Sequence, residues 1–464
     1  MENKQTVIAV FDIGKTNKKL FLFNEAYEIV FERTAKFTET TDEDGFPCDN
    51  LSSLVQSARD TLKEVIAMPE FEVKAINFTT YGASFVYVDE AGNPLTPLYN
   101  YLKEFPEPLS NRFFYDYGGR DVISVQTASP VLGSLNSGMQ LYRLKHEKPE
   151  LYRKTKFALH LPQYMSFLFT GKAYADLTSI GCHTMLWDYH KHEYHDWVKA
   201  ERITDKLPEI WPGDKAIPLQ DVNDGMVAGI GLHDSSSALI PYLVCFREPF
   251  ALISSGTWCI TLNPFNSNPL TEAELKQDCL CFLTYTGQPV KASRIFSGNE
   301  HEQQTKRLAA HFNCNVTAYQ QLKYDPAIIG KLGTELGELA TKQADGLKSS
   351  PFAHRDLAGF GSYTEAYHRL IMDLVDVQIE ASGLVLNGTG VKRVFVDGGF
   401  SRNPIFMNLM AAALPGYELY AASVPQATSL GAALAIHSCW NSNEIPSNLI
   451  ELKYFAAPQV NEGL

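Results

Sequence analysis

Several features that mark common protein classes are missing from this chain. There are eight cysteines in 464 residues, yet no Cys-x-x-Cys pair, and only Cys279 and Cys281 lie close together. That spacing offers neither a disulfide framework nor a cysteine-based zinc site, so reduced thiols and a cytoplasmic location are expected. No apolar run reaches the length of a membrane span, and Met1–Thr6 is polar rather than signal-like. Cations are in deficit, with Lys+Arg at 40 against Asp+Glu at 53 and a formal net charge of −13. A protein that grips nucleic acid needs a basic face, so nucleic-acid and membrane partners are not expected. No low-complexity tract or long linker interrupts the chain.

Two catalytic signatures also fail on a single residue each. Gly14-Lys15-Thr16 looks like the end of a P-loop, but Ala9 stands where that motif needs its first glycine. His301-Glu302 is not the start of a zincin helix, because Thr305 replaces the second histidine. His190, His192 and His195 cluster without a cysteine in a segment that reads as an exposed connection, which argues against a metal site.

What the chain does have is apolar substance and a repeated pattern. Hydrophobic residues make up 45%, enough for two or three domains with large cores. Val7 to Phe11 is an apolar run that gives out at Asp12, Gly14 marks a turn, and Leu20 to Phe23 returns as a strand. Such a hairpin tip can simply face water. It can also handle phosphate: Asp12 can hold Mg²⁺, while N–H groups near Gly14, the Lys15 ammonium, the Thr16 hydroxyl and Asn17 face phosphate oxygens. Pro249 to Leu262 repeats the strand, glycine turn and strand, with Ser255-Gly256-Thr257 at its tip. The repeat predicts a second domain on the same plan, with a boundary near Val244: residues 1–244, then 245–464.

Further along, helical spacing is clearest over Thr364–Val385, and also over Met139–Glu147 and Gln163–Leu168. Ala75–Phe78 and Phe85–Val88 read as strands, the second turning at residues 89–93 into a hairpin. Three segments carry polar chemistry at strand ends. The run Arg393 to Val396 leads into Asp397-Gly398-Gly399, then a helix near Pro404; the glycines allow close approach of a ligand, or mark a turn. His233-Asp234 precedes a small-residue helix, where Asp234 can cap the helix or take a proton from an attacking hydroxyl. Thr80-Tyr81-Gly82-Ala83 ends a strand where α/β sheets hold ligands, or is a plain glycine turn.

Taken in order, Asp12-x-Gly14-x-Thr16, His233-Asp234, Ser254-Ser255-Gly256-Thr257, Asp397-Gly398-Gly399 and Ser429-Leu430-Gly431-Ala432-Ala433 resemble the FGGY carbohydrate kinases. The resemblance covers nearly the whole chain. It implies an α/β fold of two ribonuclease-H-like domains, the actin-like ATPase fold, around a central cleft. It further implies ATP and Mg²⁺ as cofactors, a small-molecule sugar as partner, and a monomer or homodimer. By resemblance Asp234 is the catalytic base and Asp12 serves the metal. Gly14, Lys15, Thr16, Asn17, Ser255, Gly256 and Thr257 meet phosphates. Gly398, Gly399 and Asn403 border the α-phosphate and adenosine, and Asn299 helps place nucleotide or sugar. Thr80, Tyr81, Gly82, Ala83 and His233 line the sugar. His233 before the base and the Gly298-Asn299-Glu300 segment look like the ketose kinases of the rhamnulokinase and fuculokinase type. Lys15 departs from the Thr or Ala usual at its position, Gln426 stands where relatives carry Glu, and Thr80–Ala83 differs from better known sugar-kinase patterns. An ATP-binding actin-like regulator and a polyol kinase are the competing expectations.

Overall fold

In the first strand, Gln5–Ile13, Val7 to Phe11 form an unbroken apolar run, and Val7 to Val10 are fully buried. A strand buried on both faces reads as a continuous hydrophobic run because it lies inside a sheet with layers on either side. The computed structural model describes residues 4–220, 225–334 and 350–456, and it resolves the chain into two compact units. The first consists of Met1–Cys245, Cys281–Pro289 and Pro425–Leu449; the second of Phe246–Leu280, Val290–Val424 and Ile450–Leu464.

In the first unit, Gln5–Ile13 pairs antiparallel with Lys18–Asn24, which pairs antiparallel with Ile29–Ala35. On its other side Gln5–Ile13 runs parallel to Phe71–Thr80, then come Val227–Gly229 and the antiparallel edge Ala216–Pro218. The short strand Leu232–His233 pairs with Thr79 and Thr80. The helix Leu51–Ala67 covers this sheet. Asn50 caps it by accepting from Ser53 N at 3.0 Å. Leu51, Leu54, Ala58, Leu62 and Val65 then recur at helical spacing on its buried face.

The second unit repeats the plan. Phe250–Ser255 is flanked on one side by the antiparallel strands Cys259–Asn263 and Pro289–Ile295. On the other side lie the parallel strands Arg393–Gly398 and Glu418–Ser423, with Glu451–Phe455 antiparallel beyond them. The helix Tyr363–Leu386, capped by Ser362, buries Leu370, Ile371, Leu374 and Val375 in the core of this unit.

The expected helices over Met139–Glu147 and Gln163–Leu168 are Ser137–Glu147 and Leu161–Thr170. Phe85–Val88 turns back over residues 89–93, where Asp89 N donates to Asn93 O at 3.0 Å, Leu95 N donates to Tyr87 O at 2.8 Å and Val88 bridges Pro94; its longer strand partner is Phe157–His160. One expectation needs correction. The histidine segment is not uniformly exposed. His195 is 6% exposed, its Nε2 meets Gln126 Oε1 at 2.9 Å, and its Nδ1 accepts from Trp197 N at 3.2 Å. Among the described residues no group of His, Cys, Asp or Glu could hold a metal ion by protein ligands alone.

Candidate functional site

In the first unit, the residues singled out in the sequence gather at the ends of three neighbouring strands. Asp12 sits at the end of Gln5–Ile13, and Gly14 N donates to Asn17 O at 2.9 Å to close the tip. Thr16 and Asn17 are exposed there. Asp12 Oδ2 accepts from Ser429 Oγ at 2.7 Å. Burial pushes the Asp12 carboxyl up, opposed by the Ser429 hydrogen bond and reinforced by the charge of Asp234. Two carboxylates thus lie within each other's field.

Asp234 opens the helix Asp234–Cys245. Its Oδ1 accepts from Ser235 N at 2.6 Å, and its side chain keeps 37% exposure. Surrounding protein pushes this carboxyl from 3.8 to about 6, against the Ser235 hydrogen bonds. His233 beside it is 4% exposed, and burial pulls its imidazole down to about 4, so the ring is neutral at pH 7. Gly82 packs on that ring: a Cβ there would stand 2.8 Å from His233 Cδ2. Ala83 takes a left-handed backbone at φ 60°, and its carbonyl accepts from Gln140 Nε2 at 2.7 Å. Thr80 is fully buried and donates to Tyr81 O at 2.8 Å.

Lys15 does not stand free at the tip. Its Nζ meets Asp49 Oδ2 at 2.6 Å, while Lys18 Nζ meets Asp49 Oδ1 at 2.8 Å and Tyr81 Oη donates to Oδ2 at 2.8 Å. Burial pulls the Asp49 carboxyl up, but these three donors outweigh it and hold it below the usual range. One carboxylate therefore answers two ammonium groups and leaves the cluster net positive. Lys15 Nζ also lies 5.4 Å from the Tyr81 ring centre and 5.9 Å from that of Tyr101. Burial lifts the Tyr101 phenol, and the charges of Lys15, Asp234 and Asp49 act on it as well.

In the second unit, the Ser255 hydroxyl is used within the fold. It donates to Asp397 O and accepts from Phe400 N at 2.9 Å, while Ser255 O accepts from Gly399 N at 2.7 Å. Gly398 has φ +86°, and a Cβ there would stand 2.0 Å from Ser255 O. Gly256 and Thr257 are exposed at the tip. Gly298 packs on Gly256, and Asn299 N donates to Thr257 O at 3.0 Å. Asn403 caps the helix Pro404–Ala413 through Ile405 N and Phe406 N, and its Nδ2 donates to Tyr367 Oη at 2.9 Å. These residues border a cavity of about 500 Å³ whose lining includes Ser255, Gly256, Gly399 and Asn403 together with His301, Tyr319 and Phe400. His301 lies edge-on to Tyr319 and Phe400, with ring centres 4.9 and 5.3 Å apart. Such a volume, with aromatic walls and a glycine-lined floor, suits a nucleotide-sized ligand.

Asp49, Tyr101, Cys182 and Ser429 on the first unit, and His301, Tyr319 and Phe400 on the second, are site residues that sequence reading missed. Their only signals are single polar or aromatic residues in otherwise unremarkable segments. Ser429 stood inside a noted motif, and His301 only inside a rejected one.

Mg²⁺ takes one or two carboxylates and completes its shell with water and phosphate oxygens. Asp12, oriented by Ser429, fits that demand in its ionised form.

The duplicated sheet plan with a polar hairpin tip in each unit defines an actin-like α/β ATPase fold. The chain belongs to the FGGY family of carbohydrate kinases. Residues 7–236 match "FGGY family of carbohydrate kinases, N-terminal domain" and residues 247–444 match "Carbohydrate kinase FGGY, C-terminal domain". A rhamnulokinase of Klebsiella pneumoniae (strain 342) is 25% identical over 253 residues, 51% of this chain and 49% of that protein. An L-fuculokinase of Escherichia coli (strain K12) is 24% identical over 278 residues, 56% of this chain and 57% of that protein. The matched stretch thus spans about half the length of these curated relatives. The crystal structure of a carbohydrate kinase from Novosphingobium aromaticivorans superimposes with a TM-score of 0.78 at 22% identity, over 97% of this chain and 96% of that one.

Proposed function

We propose that this protein transfers the γ-phosphoryl group of ATP to a hydroxyl of a ketose of the rhamnulose or fuculose kind. The observation that carries the reading is Asp234: a partly exposed carboxylate, lifted to about 6, within the field of the half-buried carboxylate of Asp12. A base with that affinity for protons is ionised at neutral pH and still takes a proton readily. In the reaction, the sugar hydroxyl gives its proton to Asp234 as its oxygen bonds to the γ-phosphorus, and the bond from phosphorus to the β-γ bridging oxygen breaks to leave ADP. Asp12 would hold Mg²⁺, which offsets charge on the phosphates.

Residues 1–244 carry the sugar side in this reading and residues 245–464 the nucleotide side. Thr80, Tyr81, Gly82 and Ala83 wall the sugar, with Tyr101 as a further aromatic face. Gly399 and Asn403, which line the 500 Å³ cavity, receive the nucleotide together with Gly398. The hairpin residues Gly14, Lys15, Thr16 and Asn17, with Ser255, Gly256, Thr257 and Asn299, meet phosphates chiefly through backbone N–H groups, because the Lys15 and Ser255 side chains have partners within the protein. The ketose preference rests on the rhamnulokinase and L-fuculokinase names of the relatives and on His233 before the base. Eight cysteines, none of them in a disulfide, accord with a cytoplasmic location.

The test is ADP release from MgATP with a panel of L-rhamnulose, L-fuculose, L-ribulose, D-xylulose, D-fructose and glycerol, using the corresponding ketose for each deoxy sugar. Sugar-dependent ADP with one or more ketoses supports the reading. Turnover with glycerol alone makes it a polyol kinase, and ATP binding without sugar-dependent turnover makes it a regulator.

A further inference from the structure

His233 is closely enclosed by the fold. Its ring is 4% exposed, stacked on Phe282 at 6.0 Å between ring centres and 16° between planes, and closed on the near side by Gly82. Its backbone N–H donates to Thr178 Oγ1 at 2.9 Å, and Thr178 Oγ1 in turn donates to the buried carboxylate of Asp176. Ring and backbone are therefore held from several directions.

Two polar atoms face Nε2: Cys182 Sγ at 3.1 Å, in hydrogen-bonding geometry, and Asp234 Oδ1 at 3.2 Å. Nδ1 is buried without a partner. The neutral ring carries one proton, and its place follows from these neighbours. A bare Nε2 would set its lone pair against the carboxylate oxygen and would leave a buried N–H at Nδ1 unsatisfied. Buried orphan donors are rarer than under-satisfied acceptors. A proton on Nε2 instead meets the sulfur in hydrogen-bonding geometry and sets a positive edge 3.2 Å from the carboxylate oxygen. The Ser235 contacts also fall on Oδ1, at 2.6 Å from N and 3.3 Å from Oγ.

We propose that His233 is a positioning residue in its Nε2-protonated neutral form, anchored by Cys182, which pins Oδ1 of Asp234 so that Oδ2 is presented to the substrate hydroxyl. This rests on the reading of Asp234 as the base. It gives His233 a role toward the carboxylate, and it gives the buried thiol of Cys182 a purpose as hydrogen-bond acceptor.

The tautomer is read without activity. A long-range ¹H–¹⁵N correlation spectrum of the full chain, labelled at its 12 histidines, with His233 assigned by its loss in His233→Gln, should show the Nε2–H pattern at pH 7. An Nδ1–H or doubly protonated pattern overturns the proposal whatever the enzyme does. In kinetics, His233→Gln places an amide N–H where Nε2 was, whereas His233→Asn places it near Nδ1. His233→Asn should lower kcat about 10- to 100-fold, the cost of a small misplacement of a reacting group, with sugar KM changed less than about threefold. His233→Gln should recover most of that loss. Equal defects in the two variants, or a raised sugar KM at unchanged kcat, overturn the positioning role. Wild-type protein without sugar-dependent turnover would sink the base assignment instead, and the spectrum would still decide the tautomer.

Discussion

Ser429 Oγ donates to Asp12 Oδ2 at 2.7 Å, across 417 residues of chain. The serine lies on the helix Ala427–Ala435, in the segment Pro425–Leu449 that belongs to the first unit. Gly431 on that helix packs so tightly that a Cβ would stand 1.8 Å from Ser237 O. The motif near the end of the chain therefore completes a site begun at residue 12.

Removing that hydroxyl tests the role of Asp12. Burial already lifts the Asp12 carboxyl, and the Ser429 bond opposes the lift. In Ser429→Ala the carboxyl rises further, so less of it is ionised at a given pH. The apparent Mg²⁺ affinity should fall by roughly tenfold, the low end for loss of a group orienting a metal ligand. The deficit should be larger at pH 6 than at pH 8. Titration of Mg²⁺ at saturating ATP and sugar measures it.

Asp234 sets the acid side of the pH profile. A general base works only when ionised, and its carboxyl is pushed up to about 6. The rate at limiting sugar should therefore climb as pH rises through about 6 and level off above 7. Asp234→Asn should lower kcat by about 10²–10⁴ while ATP binding, followed by calorimetry, survives. A variant that keeps its rate, or a profile flat from pH 5 to 8, rejects the assignment.

Asp49 holds the first hairpin tip together. It is 7% exposed and receives Lys15, Lys18 and Tyr81, and the Lys18 side chain is itself only 9% exposed. Asp49→Ala leaves the Lys18 ammonium buried without its counter-charge. Breaking a buried pair from one side costs about 3–5 kcal/mol. Urea unfolding should show a loss of that size, whereas Lys19→Ala, which removes a half-exposed pair with Glu32, should change stability by less than about 1 kcal/mol.

Much of the local structure was legible because it depends on near neighbours. Gly14 and Gly256 between apolar runs announced the two hairpins, and the spacing of Leu370, Ile371 and Leu374 announced the longest described helix. The longer partner of Phe85–Val88, Phe157–His160, was not legible because it lies far along the chain, and strand pairing at that distance leaves no local mark. His195 misled because polar neighbours in sequence say nothing about Gln126, which covers it in space.

The amino-acid order alone determined the repeated strand-turn-strand plan and placed a carboxylate at positions 12 and 234, since hydrophobic period and turn chemistry act over a few residues. Only the tertiary structure decided the state of those groups. Ser429 on Asp12, Asp49 on Lys15, and Cys182 on His233 are contacts made by burial in a shared core. Proton affinity and charge pairing depend on which groups are desolvated together, and that depends on packing between distant segments, not on their order in the chain.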